Sequence, residues 1–154
     1  MIDGDLAPSP PDEAPVESFA GFDTRPYARR IEKPWGWELH WTPADLPYMG
    51  KVLHLKANAR LSLQAHEAKR ESWLLLSGRV KAVWQDDSGA LIETELQPGQ
   101  GYTIAAGQKH RLIGITDSEV IEVSTPETGT TWRFDDDYAR PHETPAQRAL
   151  ERGD

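Results

Sequence analysis

The sequence contains no cysteine, which excludes a disulfide framework and is compatible with a reducing compartment, so we expect a cytoplasmic protein. It has no run of about 18 apolar residues, so we expect no membrane span. The first residues, MIDGDLAPSPPDEAPVE, lack the basic start and apolar core of a secretory signal. Positive charge is scarce, with 17 Lys and Arg against 25 Asp and Glu and a formal net charge of −8. Because nucleic-acid binding needs a basic surface, we expect no nucleic-acid partner.

Glycine, proline and short apolar runs are plentiful in the 154 residues, which include 12 Gly and 12 Pro. Short runs separated by turn residues are typical of an all-β domain, and this length fits a single domain. We predict strands over residues 31–41, 50–56, 60–66, 72–76, 80–86, 91–96, 102–105, 110–115 and 119–124, with an edge strand at 131–134. This number of evenly spaced strands favours one double-sheet jelly-roll barrel.

The two ends of the chain differ from the predicted barrel over residues 31–140. Residues 1–30 are acidic and proline-rich, and we expect them to be disordered or loosely packed. Residues 141–154 are predicted to carry a short helix. In that helix Thr144 would be the N-cap, Pro145 the first helical residue and Gln147 the partner in a capping box.

Four polar residues are the candidate metal ligands: Gln64, His66, Glu71 and His110. Gln64 and His66 are two residues apart on a predicted strand and so point to the same face, and Glu71 returns on the next strand after a turn. An amide oxygen, two imidazoles and a carboxylate suit a divalent transition metal such as Zn, Mn, Co, Fe or Ni. The alternative interpretation is that both histidines are ordinary half-buried residues.

The spacing of these residues resembles the two motifs of the cupin superfamily. The positions that match the first motif are Asn58, Gln64, His66, Glu71 and Gly78, with Asn58 replacing a glycine and Gln64 a histidine. Those that match the second are Gly99, Ala105, Gly107 and His110, with Ala105 replacing a proline. The resemblance implies a double-stranded β-helix with a metal bound inside it.

A more specific resemblance is to the type II phosphomannose isomerase domain. It rests on LSLQAH followed by Glu and Trp, on HR at 110–111, IEVS at 121–124, PWG at 34–36 and RFDDDYAR at 133–140. The resemblance implies a metal-dependent mannose-6-phosphate isomerase. Arg140 occupies the place of an arginine linked to isomerisation, although Ala139 stands where the family has glycine. Lys51 becomes a candidate for phosphate binding by the same match.

Isomerisation of an aldose to a ketose needs stabilisation of an enediolate and a base near the carbon-bound proton. The candidates for the base are His54 and Lys51, or Glu71 in a double role, and the sequence leaves the choice open. We expect Arg60, Arg133 and Tyr138 to contact a phosphorylated sugar, together with Arg140. For Arg140 the alternative is an ion pair with one of Asp135, Asp136 and Asp137.

Three functions are therefore compatible with the sequence. The first is a sugar-phosphate isomerase that converts mannose 6-phosphate to fructose 6-phosphate. The second is another cupin metalloenzyme, such as an iron-dependent oxygenase acting on a small organic acid. The third is a non-catalytic sugar- or metabolite-binding barrel. An exposed edge strand and the tryptophan-rich stretch near residues 35–41 favour a homodimer.

Overall fold

The computed structural model describes residues 24–154. Within them lie eleven strands and one helix. The strands are β1 (Arg29–Lys33), β2 (Gly36–His40), β3 (Met49–Leu55), β4 (Leu63–His66), β5 (Glu71–Ser77), β6 (Val80–Gln85), β7 (Leu91–Glu95), β8 (Gly101–Ile104), β9 (His110–Gly114), β10 (Ser118–Ser124) and β11 (Thr131–Asp135), and the helix is α1 (Pro145–Arg152).

The strands form two antiparallel sheets that enclose one core. The six-stranded sheet has the order β1-β2-β3-β10-β5-β8, and the five-stranded sheet has the order β11-β4-β9-β6-β7. Strands distant in sequence are neighbours in space, as where β10 lies between β3 and β5. This arrangement confirms the prediction of an all-β jelly-roll barrel of the cupin type.

The interior of the barrel has an apolar part and a polar part. On β3, Leu53 and Leu55 are buried in the core with Val120 and Leu112. Lys51, on the same face of the same strand, is 2% exposed and lies among buried carboxylates. The inward face of β3 therefore carries a charged residue nearer one end of the strand and apolar residues nearer the other.

The predicted single strand over residues 31–41 is wrong, because β1 and β2 form a hairpin that turns at Pro34 and Trp35. Proline has no N–H to donate to a sheet, which favours a break at this point. Gly36 follows with a φ of 152°, and a side chain there would collide with the carbonyl oxygen of His54. The inward residues of β2 are Glu38 and His40, whereas Trp37 and Leu39 lie on the other face.

The predicted C-terminal helix is confirmed, with one difference at its cap. The Thr144 side chain accepts a hydrogen bond from the Gln147 backbone at 3.2 Å, and Pro145 is the first helical residue. The Gln147 side chain donates to Glu151 at 3.2 Å and so does not complete the capping box. α1 is too short and polar to span a membrane, and it is the one helix among residues 24–154.

The expectation of disorder over residues 1–30 concerns mostly residues 1–23, which lie outside the described residues. Arg29 and Arg30 already belong to β1, so the ordered barrel begins slightly before residue 31.

Candidate metal centre

Three of the four predicted ligands converge inside the barrel. His66 ends β4, Glu71 begins β5 and His110 begins β9. The Nε2 atom of His66 lies 3.2 Å from Glu71 Oε2, and Nε2 of His110 lies 3.1 Å from Glu71 Oε1. One donor atom from each residue falls within 4.8 Å of the others, and all three side chains are buried. This arrangement is a candidate three-residue metal site.

A contact at Nδ1 holds each imidazole ring so that its Nε2 atom faces Glu71. His110 Nδ1 lies 2.7 Å from the Gln108 carbonyl oxygen, which can only accept, so Nδ1 carries the proton and Nε2 presents its lone pair. His66 Nδ1 lies 2.9 Å from the Thr131 hydroxyl. The Nε2 atoms of both histidines are buried without an aligned hydrogen bond. Buried polar atoms left in this state are expected where an ion binds, so the three residues fit a divalent metal.

Gln64 lies beside this trio but is not yet assigned as a ligand. Its backbone pairs with that of His110 across β4 and β9. Its side-chain oxygen accepts a hydrogen bond from Ser62 Oγ at 2.8 Å, and the side chain lines the same cavity as His66. A fourth coordination through Gln64 therefore stays a prediction.

The electrostatics of the site favour the protonation states that a metal needs. Burial lowers the pKa of His66 to about 4, although the adjacent Glu71 carboxylate partly opposes this shift. Burial alone would raise the pKa of Glu71, but Lys69 and the two imidazoles outweigh it and hold that pKa well below its usual value. A neutral His66 and an ionised Glu71 are the forms that coordinate metals.

Charged side chains connected by ion pairs surround the trio, and we call them the buried charge network. Its twelve members are the cations Lys33, Lys51, Lys69, Arg133, Arg148 and Arg152 and the carboxylates Glu38, Glu71, Glu122, Glu127, Glu143 and Glu151. Six positive and six negative groups give the network no formal net charge. Burial of so many charges is tolerated because each has a partner.

A small cavity of about 50 Å³ lies within this network. It reaches the candidate metal site through Gln64 and His66, and Glu122, Arg133 and Arg152 also line it. A second cavity of about 320 Å³ is bordered by Trp73, Trp84 and Tyr102. None of the four candidate ligands lines this second cavity, and the Trp73 ring lies 5.5 Å from that of His110. Of these two cavities, the small one is therefore the one next to the candidate metal.

The two predicted bases lie in different environments. His54 is on the outer face of β3, stacked on Trp37 at 4.9 Å between ring centroids, so the structure does not bring it to the candidate site. Lys51 points inward and pairs with Glu127 and Glu38. Burial would lower the pKa of Lys51, but these carboxylates together with Glu122 raise it above its ordinary value. Lys51 is therefore protonated at neutral pH, which argues against a role as the base.

The predicted substrate residues are divided between the cavity and the surface. Arg133 and Arg140 line the small cavity, and Arg133 bonds to Glu143 at 2.7 Å. Arg60 is not brought to the site, because its 40%-exposed side chain forms a two-pronged contact with Asp137. Tyr138 packs against the hydrophobic core and under the Arg140 guanidinium.

Arg140 makes the predicted ion pair, and its role in substrate binding stays a prediction. Its guanidinium holds Asp136 through two contacts of 3.0 and 2.7 Å, which is the predicted ion pair. The same side chain lines the cavity, so the ion pair orients it there.

Sequence reasoning missed Lys69, Glu122 and Glu127 as members of the site. Lys69 Nζ lies 2.5 Å from Glu71 Oε2 and 2.7 Å from Glu122 Oε1, and it pairs with Glu127 at 3.7 Å. Glu122 had a usable signal, because it shares the inward face of β10 with the buried Val120. Glu127 lies in a loop and had none.

Comparison with known families agrees with this geometry. A family model described as "Mannose-6-phosphate isomerase C-terminal" matches residues 22–140. The chain belongs to this family. No curated protein matches the chain. α1 lies beyond the part that matches the mannose-6-phosphate isomerase C-terminal family.

Solved structures with a similar fold include oxalate decarboxylases. A Bacillus subtilis enzyme reported with Mn(II) centres has a TM-score of 0.61 and 16% identity, covering 82% of this chain and 35% of that one. A formate complex of the Lactobacillus farciminis enzyme has a TM-score of 0.60 and 20% identity, covering 70% of this chain and 34% of that one. The chain thus spans about a third of the length of these neighbours, and the likeness establishes a cupin fold.

Proposed function

We propose that this chain is a metal-dependent aldose–ketose isomerase acting on a sugar phosphate, with mannose 6-phosphate and fructose 6-phosphate as the leading pair. The observation that carries the proposal is the convergence of His66, Glu71 and His110 in a barrel of the mannose-6-phosphate isomerase C-terminal family. His66, Glu71 and His110, with Gln64 as the fourth ligand, would hold the ion. When bound, a divalent metal supplies positive charge that stabilises the developing enediolate oxygen.

Glu122 is the group best suited to move the proton. It lines the cavity together with His66, within reach of a ligand bound there. Burial raises its pKa, and the neighbouring Glu71 carboxylate raises it further against the opposite effect of Lys69 and Lys51. A carboxylate with a raised pKa is a better base at neutral pH than an ordinary one. Glu122 replaces His54 and Lys51 as our candidate for the base.

The arginines that line the cavity would bind the anionic parts of the substrate. Arg140 is held in place by Asp136, and Arg133 is held by Glu143 and Glu151. A planar guanidinium whose position is fixed in advance binds a phosphate or an enediolate oxygen with little loss of side-chain entropy.

A reconstitution experiment tests the proposal. Metal-free protein is loaded in turn with Zn, Mn, Co, Fe or Ni and incubated with mannose 6-phosphate, and fructose 6-phosphate is measured. We expect turnover with at least one metal, loss of turnover in Glu122→Gln with metal still bound, and normal turnover in His54→Ala. Absence of product with every metal would rule out this substrate pair.

One observation favours a second candidate, an enzyme acting on a small organic acid. The cavity beside the candidate metal measures about 50 Å³, which is space for roughly three or four water molecules. A hexose phosphate is several times larger, and its entry would require rearrangement of the buried charge network. Assays with oxalate and related acids, with and without oxygen, distinguish the two candidates.

We also propose a homodimer. β1 is an edge strand of the six-stranded sheet, and Trp41 and Tyr48 are 44% and 49% exposed. Exposed aromatic residues near an open edge are common in subunit interfaces. Light scattering on the eluting peak of a sizing column measures the mass, and a monomer at micromolar concentration would contradict the proposal.

A further inference from the structure

We propose that α1 completes the candidate site, and that Arg152 from this helix and Arg133 from β11 together bind the carboxylate of a small organic acid. The proposal deepens the second candidate function and rests on the proposed metal site. α1 and Arg152 lie outside residues 22–140, the part that matches the family. Any contribution of Arg152 is therefore a property of this chain beyond its family domain.

α1 is fixed beside the cavity by ion pairs from three of its residues. Arg148 bonds to Glu143 at 2.7 Å, and Glu151 accepts from Arg133 at 2.9 Å. Arg152 pairs with the buried Glu127 and lines the cavity. The helix thus presents a cation to the same space that Gln64 and His66 border.

Two N–H groups that belong to residues lining this cavity have no partner. The Nε atoms of Arg133 and Arg152 are buried and make no hydrogen bond, although the terminal nitrogens of both guanidinium groups are paired. The Arg133 side chain is only 4% exposed, so water does not readily satisfy its Nε. Buried donors without a partner are rare, and two of them on residues that line one cavity point to an acceptor bound there.

Charge balance indicates that the acceptor is an anion. The buried charge network carries six cations and six carboxylates, so it leaves nothing to neutralise an added ion. A divalent metal at His66, Glu71 and His110 would bring two positive charges into this poorly solvated interior. An anionic ligand beside the metal restores neutrality, which strongly favours its binding.

Size selects among the anions. About 150 Å³ is enough to hold benzene, whereas this cavity measures about 50 Å³. A carboxylate of one or two carbons fits such a space by displacing a few waters, whereas a sugar phosphate fits only after the buried charge network rearranges. The site in this structure therefore fits a small carboxylate, and Arg152 of α1 is one of the residues that border it.

Calorimetric titration of metal-loaded, desalted full-length protein tests the proposal. The probes are formate, oxalate, inorganic phosphate and mannose 6-phosphate. We expect oxalate to bind most tightly of the four probes. Its affinity should be at least tenfold lower in metal-free protein and at least tenfold lower in Arg152→Met. Arg152→Lys keeps the charge but lacks the Nε–H, so it should fall between Arg152→Met and the unchanged protein. Arg79→Met, which removes an exposed arginine paired with Glu95, is the matched control and should bind normally.

Unchanged oxalate binding in folded Arg152→Met and Arg152→Lys would overturn the proposal, as would tighter binding of mannose 6-phosphate than of oxalate. Glu127→Gln should change the affinity for oxalate in the opposite direction. It leaves the network with one extra positive charge, so oxalate should bind more tightly. The two proposals can fail separately. Isomerisation without oxalate binding would contradict only the carboxylate site. Oxalate binding without isomerisation would contradict only the sugar-phosphate function. A protein that takes up no metal would contradict both proposals.

Discussion

Lys69 Nζ lies 2.5 Å from Oε2 of Glu71, the carboxylate that a metal at the candidate centre would use. Both groups are buried, and the carboxylates around Lys69 raise its pKa well above the ordinary value although burial opposes the shift. The ammonium group therefore stays charged and stabilises ionised Glu71. It also competes with a metal for the electrons of that carboxylate. Lys69 thus keeps the site formed in the absence of metal and weakens the affinity for it.

Replacement of Lys69 by Met should separate these two effects. Without the ammonium group, Glu71 and Glu122 are left as poorly compensated buried charges, and the metal-free protein should lose about 3 kcal/mol of stability. Divalent metal should bind more tightly than in the unchanged protein and restore much of that loss. Thermal unfolding with and without Zn measures both, and Lys69→Arg is the control that keeps the charge. Weaker metal binding in Lys69→Met would contradict this account.

The ligand assignment predicts a loss of metal without a loss of fold. His66→Ala and His110→Ala each remove a buried nitrogen that faces Glu71, so bound metal should fall to background. Elemental analysis measures the metal, and the circular dichroism spectrum reports the fold. His54→Ala is the control, since that imidazole stacks on Trp37 outside the site. Unchanged metal content in both site variants would mean that the ligands are wrongly assigned.

The stability of the metal-free protein should decrease as the pH falls from about 6.5 to about 4. Burial lowers the pKa of His66 to about 4, and burial also lowers that of His40. Over this range the unfolded chain takes up protons on these histidines and the folded chain does not, so acid favours unfolding. A shift from 6.5 to about 4 corresponds to about 3 kcal/mol for His66. Urea unfolding at pH 7 and pH 5 checks the sign, and equal stabilities would contradict it.

The sequence was sufficient to predict the barrel and the convergence of three of the four candidate ligands. Gln64 and His66 are two residues apart on β4, and Glu71 begins β5 after a short turn. Local spacing therefore determines which of these side chains meet. Substitutions in the motif did not disturb this. Asn58 replaces a motif glycine with a φ of 64°, a conformation that asparagine tolerates better than most residues.

The inward-facing charges could not be predicted from local pattern. Alternation with a period of two shows that β2 has two different faces, but it does not show which face is inside. The tryptophan face would be inside only if the interior were apolar. Here Glu38 and His40 take that side because Lys51 and Lys33 lie opposite them. The pairing of Arg152 with Glu127 joins residues far apart in sequence, and no local signal precedes such a contact.

Arg140→Ala should lower turnover while leaving the metal in place. The Arg140 guanidinium lines the cavity but is absent from the candidate ligand set, so only ligand binding and charge stabilisation are lost. We expect a decrease of roughly tenfold or more in kcat/KM. Asp136→Asn is the companion variant, because it keeps Arg140 but releases its side chain, and a smaller decrease is expected. Normal turnover in Arg140→Ala would reduce the residue to a structural ion pair.

Ala139→Gly should stabilise the protein. Ala139 has a φ of 53°, in the left-handed region, and it stands between the paired residues Asp136 and Arg140. This conformation costs an L-residue about 1–2 kcal/mol, and glycine adopts it without that strain but loses more entropy on folding. The net gain should be about 0.5–1 kcal/mol in the free energy of unfolding, measured with urea. Asn58→Gly is the matched control and should change stability less, since asparagine already tolerates a φ of 64°. A less stable Ala139→Gly variant would show that the Ala139 methyl group makes contacts worth more than the strain it imposes.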